Sequence, residues 1–516
     1  MSKERSIRFD VSEIDKYREN NRFEVKRASE GLPESLWPTY SSFGNTYGGV
    51  ILLGADENKD GDLDVVGVNR PDDLIKKFWD IAHNRQKVNV CILHDHDVYP
   101  ETIEGKDVVV IEVPRAQRQD RPIFINGNPF SGTYRRNGEG DYRCTESEVR
   151  NMIRDASDMT QDRIVLDSLS MDVFDKDTVK RYRMRFKNLK EGHVWSDISD
   201  HEFLQKIGAA GRSENDKEIH PTAAGLLMFG HECDILSEYP QYFLDYREKF
   251  DENRWSDRVV SSSGDWSGNL FDFYFKVHER LTSEVKVPFV LNGWDRIDNT
   301  PMHEAIREAL LNALIHSNYY ERRGVVAERR KGMIMISNPG ALRISVKEAL
   351  SGGVSDPRNT IVMRMFALVG IGERAGSGLA NIERVWKEQG LPEPELTEHF
   401  DPDRTYLTLR LQSKTADDKT ENVGVNVGVN VGVNVGVNVG VNVGVNVGVK
   451  LTETDKQIIR ILRKDGKLTT KDLAVSIGVD TRTIERGLKK LKENKLIERV
   501  GSDKSGRWKV STDDYR

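Results

Sequence analysis

The sequence predicts an α+β chain of several domains, and three observations carry that expectation. Its 516 residues exceed what one hydrophobic core organises, and roughly 150 residues per domain implies about three domains. Short apolar runs with strand character, such as Val50–Leu53 and Met333–Ile336, are interspersed with helical-period stretches such as His303–His316. A Val-Gly-Val-Asn repeat over Val423–Lys450 then divides this body from a basic tail.

Hydrophobic residues make up 37% of the chain and charged residues 31%, the balance of a folded protein with a highly charged surface. No run approaches the ~18 apolar residues of a membrane span, and Met1–Asp10 is charged. A soluble, cytoplasmic protein without a membrane partner is therefore expected. Cys91, Cys144 and Cys233 show no paired spacing, which argues for reduced structural thiols and against a disulfide framework or a cysteine zinc site. The net charge of −6 is uneven: residues 451–516 hold 17 Lys+Arg against 11 Asp+Glu, a net of +6, leaving −12 for the rest. A basic tail on an acidic body suits contact with a phosphate backbone.

Near the N terminus, Glu19-Asn20-Asn21-Arg22-Phe23-Glu24-Val25-Lys26 precedes a stretch from Ser42 to Glu57. Phe23–Lys26 reads as a strand and Pro38–Tyr47 as a helix stopped by Gly48-Gly49. A buried strand then runs to Gly54 and delivers Asp56 and Glu57 to its exit loop. Carboxylates converging at strand ends would hold one or two divalent ions at a phosphodiester, with Lys26 neutralising the scissile phosphate. Spacing alone favours a plainer reading, in which Glu24 and Lys26 form the solvated face of an edge strand. The pattern E-x4-E-x-K, then F-x-N-T-x-G-G-x-I-L-L-G-x-D, resembles the Schlafen/Alba-like (AlbA_2) domain, and the resemblance continues through Thr133-Tyr134-Arg135-Arg136 to about Met152. It implies a nucleic-acid-binding domain over 1–158. In eukaryotic Schlafen proteins such residues form a metal-dependent RNase centre; carried over, Glu19, Glu24 and Asp56 would bind Mg2+ or Mn2+ beside Lys26. Many bacterial relatives are assigned nucleic-acid binding only, so binding is the safer expectation.

Residues 159–296 offer no chemical motif and are expected to connect the domains. Ala223–Gly230 is an apolar run, and the flanking His220 and His231 are expected to be structural. From His303 to His316 an amphipathic helix carries Glu308, Asn312 and His316 at four-residue steps, hence on one face. A carboxylate one turn before an asparagine can polarise a water while the asparagine oxygen ligates Mg2+. In isolation, a polar outer face explains these residues equally well. A strand then ends in Ser337-Asn338-Pro339-Gly340, and Glu373-Arg374-Ala375-Gly376-Ser377-Gly378-Leu379 supplies a glycine-rich turn opening a helix, a phosphate cradle. The ordered set E-A-L-L-N-A-L-I-H, I-S-N-P-G-A-L, D-P-R-N and E-R-A-G-S-G-L resembles the divergent GHKL-type ATPase domain that follows AlbA_2 domains in bacteria. That resemblance implies an α/β sandwich over 297–412 binding ATP and Mg2+. Glu308 would be its general base, Asn312 the Mg2+ ligand, Asn338 and Gly340 part of the nucleotide site, and Gly376 and Gly378 the phosphate loop. Asn338 departs from the family, which places an aspartate there for the adenine amino group.

Within the linker 413–450, valine occupies every second repeat position, so an extended chain would show one all-valine face. Pairing between subunits into a homo-oligomer, or service as a tether, both follow from that pattern. In residues 451–516, Ile458, Ile459 and Leu462 share one helical face. Thr469 with Asp472 opens a second helix, and Ile484, Leu488 and Leu491 face inward on a third. Leu496–Val500 and Arg507–Val510 read as a hairpin. This is the order of a winged helix-turn-helix, as in many bacterial transcription regulators. Arg482, Arg486, Lys489 and Lys490 on its third helix, with Arg507 and Lys509 on the wing, are the expected DNA contacts. The whole reads as an ATP-responsive nucleic-acid-binding regulator. The alternative is a metal-dependent nuclease controlled by ATP or oligomerisation, perhaps serving phage defence.

Overall fold

A computed structural model describes residues 22–412, apart from 59–62, 251–254, 284, 286–290, 293–294, 297–299 and 373–377, together with scattered positions in 458–510. The chain divides into two compact units, Met1–Lys414 and Thr415–Arg516. The repeat lies outside the described residues.

The first unit begins with β1 (Phe23–Lys26), whose alternation puts Phe23 and Val25 on one face and Glu24 and Lys26 on the other. After α1 (Leu36–Asn45) comes β2 (Gly49–Leu53), which pairs with β1 in parallel, Glu24 opposite Ile51. Pro38 sits in the first turn of α1, where a missing N–H costs no intrahelical bond. Gly54, at φ +101°, turns the chain from β2 into β3 (Ala55–Glu57), which pairs with β4 (Leu63–Val65). Following α2 (Pro71–Ala82), β5 (Val98–Ile103) and β6 (Lys106–Val113) complete a four-stranded sheet in the order β1-β2-β6-β5. Every residue of β2 is buried because both sheet faces are covered. Ile51 and Leu53 pack with α1 and α2, while Val50 and Leu52 pack with Ala55 and Val65. A short α3 (Pro129–Gly132) leads to the hairpin of β7 (Tyr134–Asn137) and β8 (Gly140–Arg143), and β7 packs against α1. Next comes α4 (Glu146–Ala156), opened by a capping box between Thr145 and Glu148.

The segment expected as a connector contains α5 (Lys176–Leu189), α6 (Asp200–Ile207), the ribbon of β9 (Ala210–Arg212) and β10 (Ile219–Pro221), α7 (Ala223–Phe229) and α8 (Glu232–Glu238). It continues through β11 (Leu244–Lys249), β12 (Asp257–Val260), α9 (Leu270–Thr282) and the two-residue strands β13 (Leu291–Asn292) and β14 (Asp295–Arg296). The apolar run is the wholly buried helix α7, packed so closely that the Ala209 carbonyl fills the space of a Cβ at Gly225. Then follow α10 (Pro301–His316), β15 (Val325–Arg330), β16 (Met333–Pro339), α11 (Val346–Ser351), α12 (Thr360–Leu368), α13 (Gly378–Glu388), β17 (Glu395–Phe400) and β18 (Asp403–Arg410).

These strands build one six-stranded sheet, β12-β11-β15-β16-β18-β17, with β11 parallel to β15 and the other pairings antiparallel. One continuous core runs from Leu166 to Leu409. The middle segment lends β11, β12 and a layer of helices to the sheet that contains β15–β18.

In the second unit, Ile458, Leu462, Leu473, Ala474, Ile484, Leu488, Leu491 and Ile497 form a small core. Thr469 caps the helix Thr470–Ile477 through Asp472, whose carboxylate accepts from the Thr469 N–H at 2.9 Å and its hydroxyl at 2.7 Å. Strand Ile497–Val500 pairs antiparallel with Arg507–Val510, giving the expected hairpin. No helix among the described residues is long and apolar enough to cross a membrane.

Candidate nucleotide site and nucleic-acid interface

Helix α10 begins where Thr300 accepts a hydrogen bond from the His303 N–H and Pro301 fills the first position. Its alanines and leucines enter the core, which leaves Glu308, Asn312 and His316 along one edge. That edge lines a cavity closed by Asn338 at the end of β16 and by Gly378 and Leu379 at the start of α13. The fit at Gly378 is close: a Cβ there would collide with the Glu308 carboxylate and lie 2.9 Å from Asn312 Nδ2. The structure therefore brings Glu308, Asn312, Asn338 and Gly378 together. Gly376 lies outside the described residues. Gly340 does not line this cavity; at φ +97° it leaves room for the Arg358 guanidinium, 2.9 Å from where its Cβ would stand.

The donor set fits a Mg2+-nucleotide: a carboxylate and an amide one helical turn apart, an amide on the cavity floor, and a helix start whose N–H groups favour anions. A second pocket shares Glu308, Gly372 and Gly378 with the first and is lined by Arg185, Arg307 and Arg384 together with Glu279 and Glu304, a mixed-charge mouth beside the helix edge. Burial, with Arg358 and Arg343 adjacent, pushes the His316 imidazole down to about 4. The ring is neutral at pH 7 and adds no positive charge to the cavity.

The D-P-R-N residues anchor the end of α10. Arg358 donates from Nε to Asp155 Oδ1 (2.9 Å), from Nη2 to Asp155 Oδ2 (2.5 Å) and from Nη1 to the His316 carbonyl (2.9 Å). Asn359 Nδ2 donates to the Ile315 and Ser317 carbonyls at 3.2 and 2.9 Å. The motif thus satisfies the orphan carbonyls at the end of α10. Asp356 pairs with Arg118 of the N-terminal domain and with Arg343 at 3.4 Å, and Arg343 Nη2 donates to the Asp155 carbonyl at 2.8 Å. Burial alone would raise the Asp155 carboxyl, but Arg358, Arg343 and Arg121 outweigh it and hold the group below the usual carboxylate range. Arg343, Asp356 and Arg358 line the cavity as well. Its rim is therefore built into the contact with the N-terminal domain. Arg115–Glu398 (2.7 Å) and Arg135–Asp403 (2.5 Å) extend the same contact along β17 and β18.

The acidic candidates of the N-terminal domain are arranged differently. Glu24 is only 5% exposed, so it is no solvated face. One of its oxygens pairs with Lys26 and the other accepts from Arg136 Nη2 at 2.5 Å. Arg136 also reaches Asp141 at 3.0 Å, and Asp141 accepts from Thr39 (2.6 Å) and Ser42 (2.5 Å). Asp56 lies beyond the Gly54 turn, exposed, 3.9 Å from Arg27. Among the described residues, Glu24 and Asp56 share no group of three metal-ligating side chains; Glu19 falls outside them. Arg482, Arg486, Lys489 and Lys490 are also outside, and Arg507 and Lys509 sit on the second strand of the hairpin.

The Schlafen, AlbA_2 family model matches residues 19–145. The chain is a Schlafen AlbA_2-domain protein. In this AlbA_2 protein, residues 328–409 match the model described as "Putative ATP-dependent DNA helicase recG C-terminal" (HATPase_c_4), and residues 451–492 match the AsnC-type helix-turn-helix domain. A domain of unknown function (DUF8451) matches residues 150–245. Two solved structures are similar. One is the N-terminal domain of a RecG-related protein from Nitrosomonas europaea, 32% identical over 26% of this chain and 90% of that one, with a TM-score of 0.21. The other is a Corynebacterium diphtheriae protein, 16% identical over 95% of this chain and 91% of that one, with a TM-score of 0.39. No curated protein matches the chain. The matched domains support nucleic-acid binding and ATP binding by this AlbA_2 protein.

Proposed function

We propose that the protein is an ATP-responsive transcriptional regulator, in which Mg2+-ATP held against α10 sets how the nucleic-acid-binding domains engage their target. One observation carries this reading: Arg343, Asp356 and Arg358 line the cavity beside Glu308 and Asn312 while also pairing with Asp155 and Arg118. Bound polyphosphate brings negative charge to a rim whose arginines already share two carboxylates. Redistribution of those pairs gives the nucleotide different interaction energies with two arrangements of the contact, as a ligand-driven shift requires. The Asn312 oxygen would face Mg2+, and Glu308 would take the proton of an attacking water. The second unit would read duplex DNA through its third helix and wing, Arg482, Arg486, Lys489, Lys490, Arg507 and Lys509, chiefly by charge. Binding by the AlbA_2 domain is favoured over cleavage because both Glu24 oxygens are engaged by Lys26 and Arg136. Calorimetry with Mg2+-ATP tests the nucleotide half: wild type is expected to bind and Asn312→Ala to lose at least tenfold in affinity. Equal isotherms for the two proteins would remove α10 from the site.

A further inference from the structure

At the sheet edge opposite β1, the chain carries His94-Asp95-His96-Asp97 directly before β5. The turn is fixed by its own backbone: the His94 N–H donates to Asp97 Oδ2 at 2.7 Å and the Asp97 N–H donates to the His94 carbonyl at 2.9 Å. The Asp97 side chain is 11% exposed, whereas the rings of His94 and His96 stand 67% and 58% exposed above it. His94 Nδ1 lies 3.5 Å from Asp97 Oδ2, and His96 Nε2 lies 3.3 Å from Asp97 Oδ1. One ligand atom from each of the three residues falls within 4.8 Å of the others. Two ligands of one tetrahedral Zn2+, each about 2.0–2.1 Å from the ion, are separated by about 3.3–3.4 Å. The two separations, one to each oxygen of Asp97, are close to that spacing.

We infer that His94, His96 and Asp97 form a binding site for one divalent transition-metal ion of the Zn2+ class. Two imidazoles with a carboxylate suit a borderline-soft ion better than Mg2+ or Ca2+, which favour all-oxygen shells. The buried carboxylate is oriented by the His94 N–H, the support that fixes a metal-ligating group, and the exposed rings leave an entry path and an open coordination position. The site is separate from Glu24, which lies on the strand at the other edge of the sheet, and from the nucleotide cavity, whose lining includes none of these residues.

Titration of the tag-free full-length chain with ZnCl2 by calorimetry, with Co2+ absorption as a second readout, tests the site. Wild type should take up one equivalent that the His94→Ala/His96→Ala variant lacks, together with the visible Co2+ band. Both rings are exposed, so that variant should keep the wild-type melting profile in EDTA. Asp97→Asn should weaken Zn2+ at least tenfold. Equal Zn2+ uptake by wild type and the double variant, or none by wild type, would show the cluster to be a pair of ordinary His–Asp contacts.

Discussion

Arg358 holds Asp155 by two parallel hydrogen bonds, of 2.9 and 2.5 Å, and so joins the last turn of α4 to the end of the helix that carries Glu308 and Asn312. The bidentate geometry suits the planar guanidinium, and the pair is largely removed from water. Asp155→Ala would remove the carboxylate that Arg358 grips and Arg343 shares, leaving Arg343 with Asp356. A loss of about 3–5 kcal/mol is expected, as for other broken buried pairs. Asp200→Ala, which breaks a pair whose aspartate is 65% exposed, should cost less than about 1 kcal/mol. Apparent Tm values of the two variants check the contrast. Because the folded-state value of Asp155 is depressed, its contribution is present above the unfolded carboxylate range and is lost as pH falls through the folded value.

Hydrolysis and binding should separate at α10. Glu308→Gln keeps the side-chain volume and removes the base, so Mg2+-ATP affinity should stay within about threefold while turnover falls about 100-fold or more. Asn312→Ala should lose both. Phosphate release measured beside calorimetry distinguishes them, and equal turnover in Glu308→Gln and wild type would assign the proton to another group.

His316 makes acid stability depend on the cavity. Its folded value of about 4 lies below the ordinary histidine value, so the unfolded chain binds more protons between the two. Stability should therefore fall as pH drops from about 6.5 toward 4. His316→Gln should flatten that slope, read as apparent Tm against pH; parallel curves would show the ring to be solvated.

Glu24→Ala would remove one of the two carboxylates paired with Arg136, which is buried beside Phe43 and would keep Asp141, and should lower the melting temperature more than Glu24→Gln does. Wild type with Mn2+ is expected to leave RNA and duplex DNA intact. Cleavage that disappears in Glu24→Ala would replace the binding role with a nuclease.

Much of the architecture was legible because it rests on local periodicity. The alternation in Phe23–Lys26, the four-residue steps of α10 and the inward Ile484, Leu488 and Leu491 are each set by a neighbourhood of a few residues. Convergence of Glu308, Asn312, Asn338 and Gly378 was legible only through family resemblance, since Gly378 lies against Glu308 although they are 70 positions apart in the chain. What the sequence concealed is long-range: β11 joining β15, Arg136 closing over Glu24, and Arg118 reaching Asp356. No periodicity marks such partners, because each residue in isolation reads as an ordinary surface charge. The His94-Asp95-His96-Asp97 run is plain in the sequence, but only the turn before β5 sets both rings beside the Asp97 carboxylate.

Titration of full-length protein into labelled duplex DNA at two salt concentrations, with and without Mg2+-ATP, reads the link between the cavity and nucleic acid directly. Affinity should fall steeply with salt, by roughly 0.9 log per log unit for each phosphate neutralised. ATP should shift the dissociation constant about fivefold or more, and Asn312→Ala should abolish that shift. Binding that is identical with and without ATP in wild type, or that ignores salt, would contradict a nucleotide-controlled regulator.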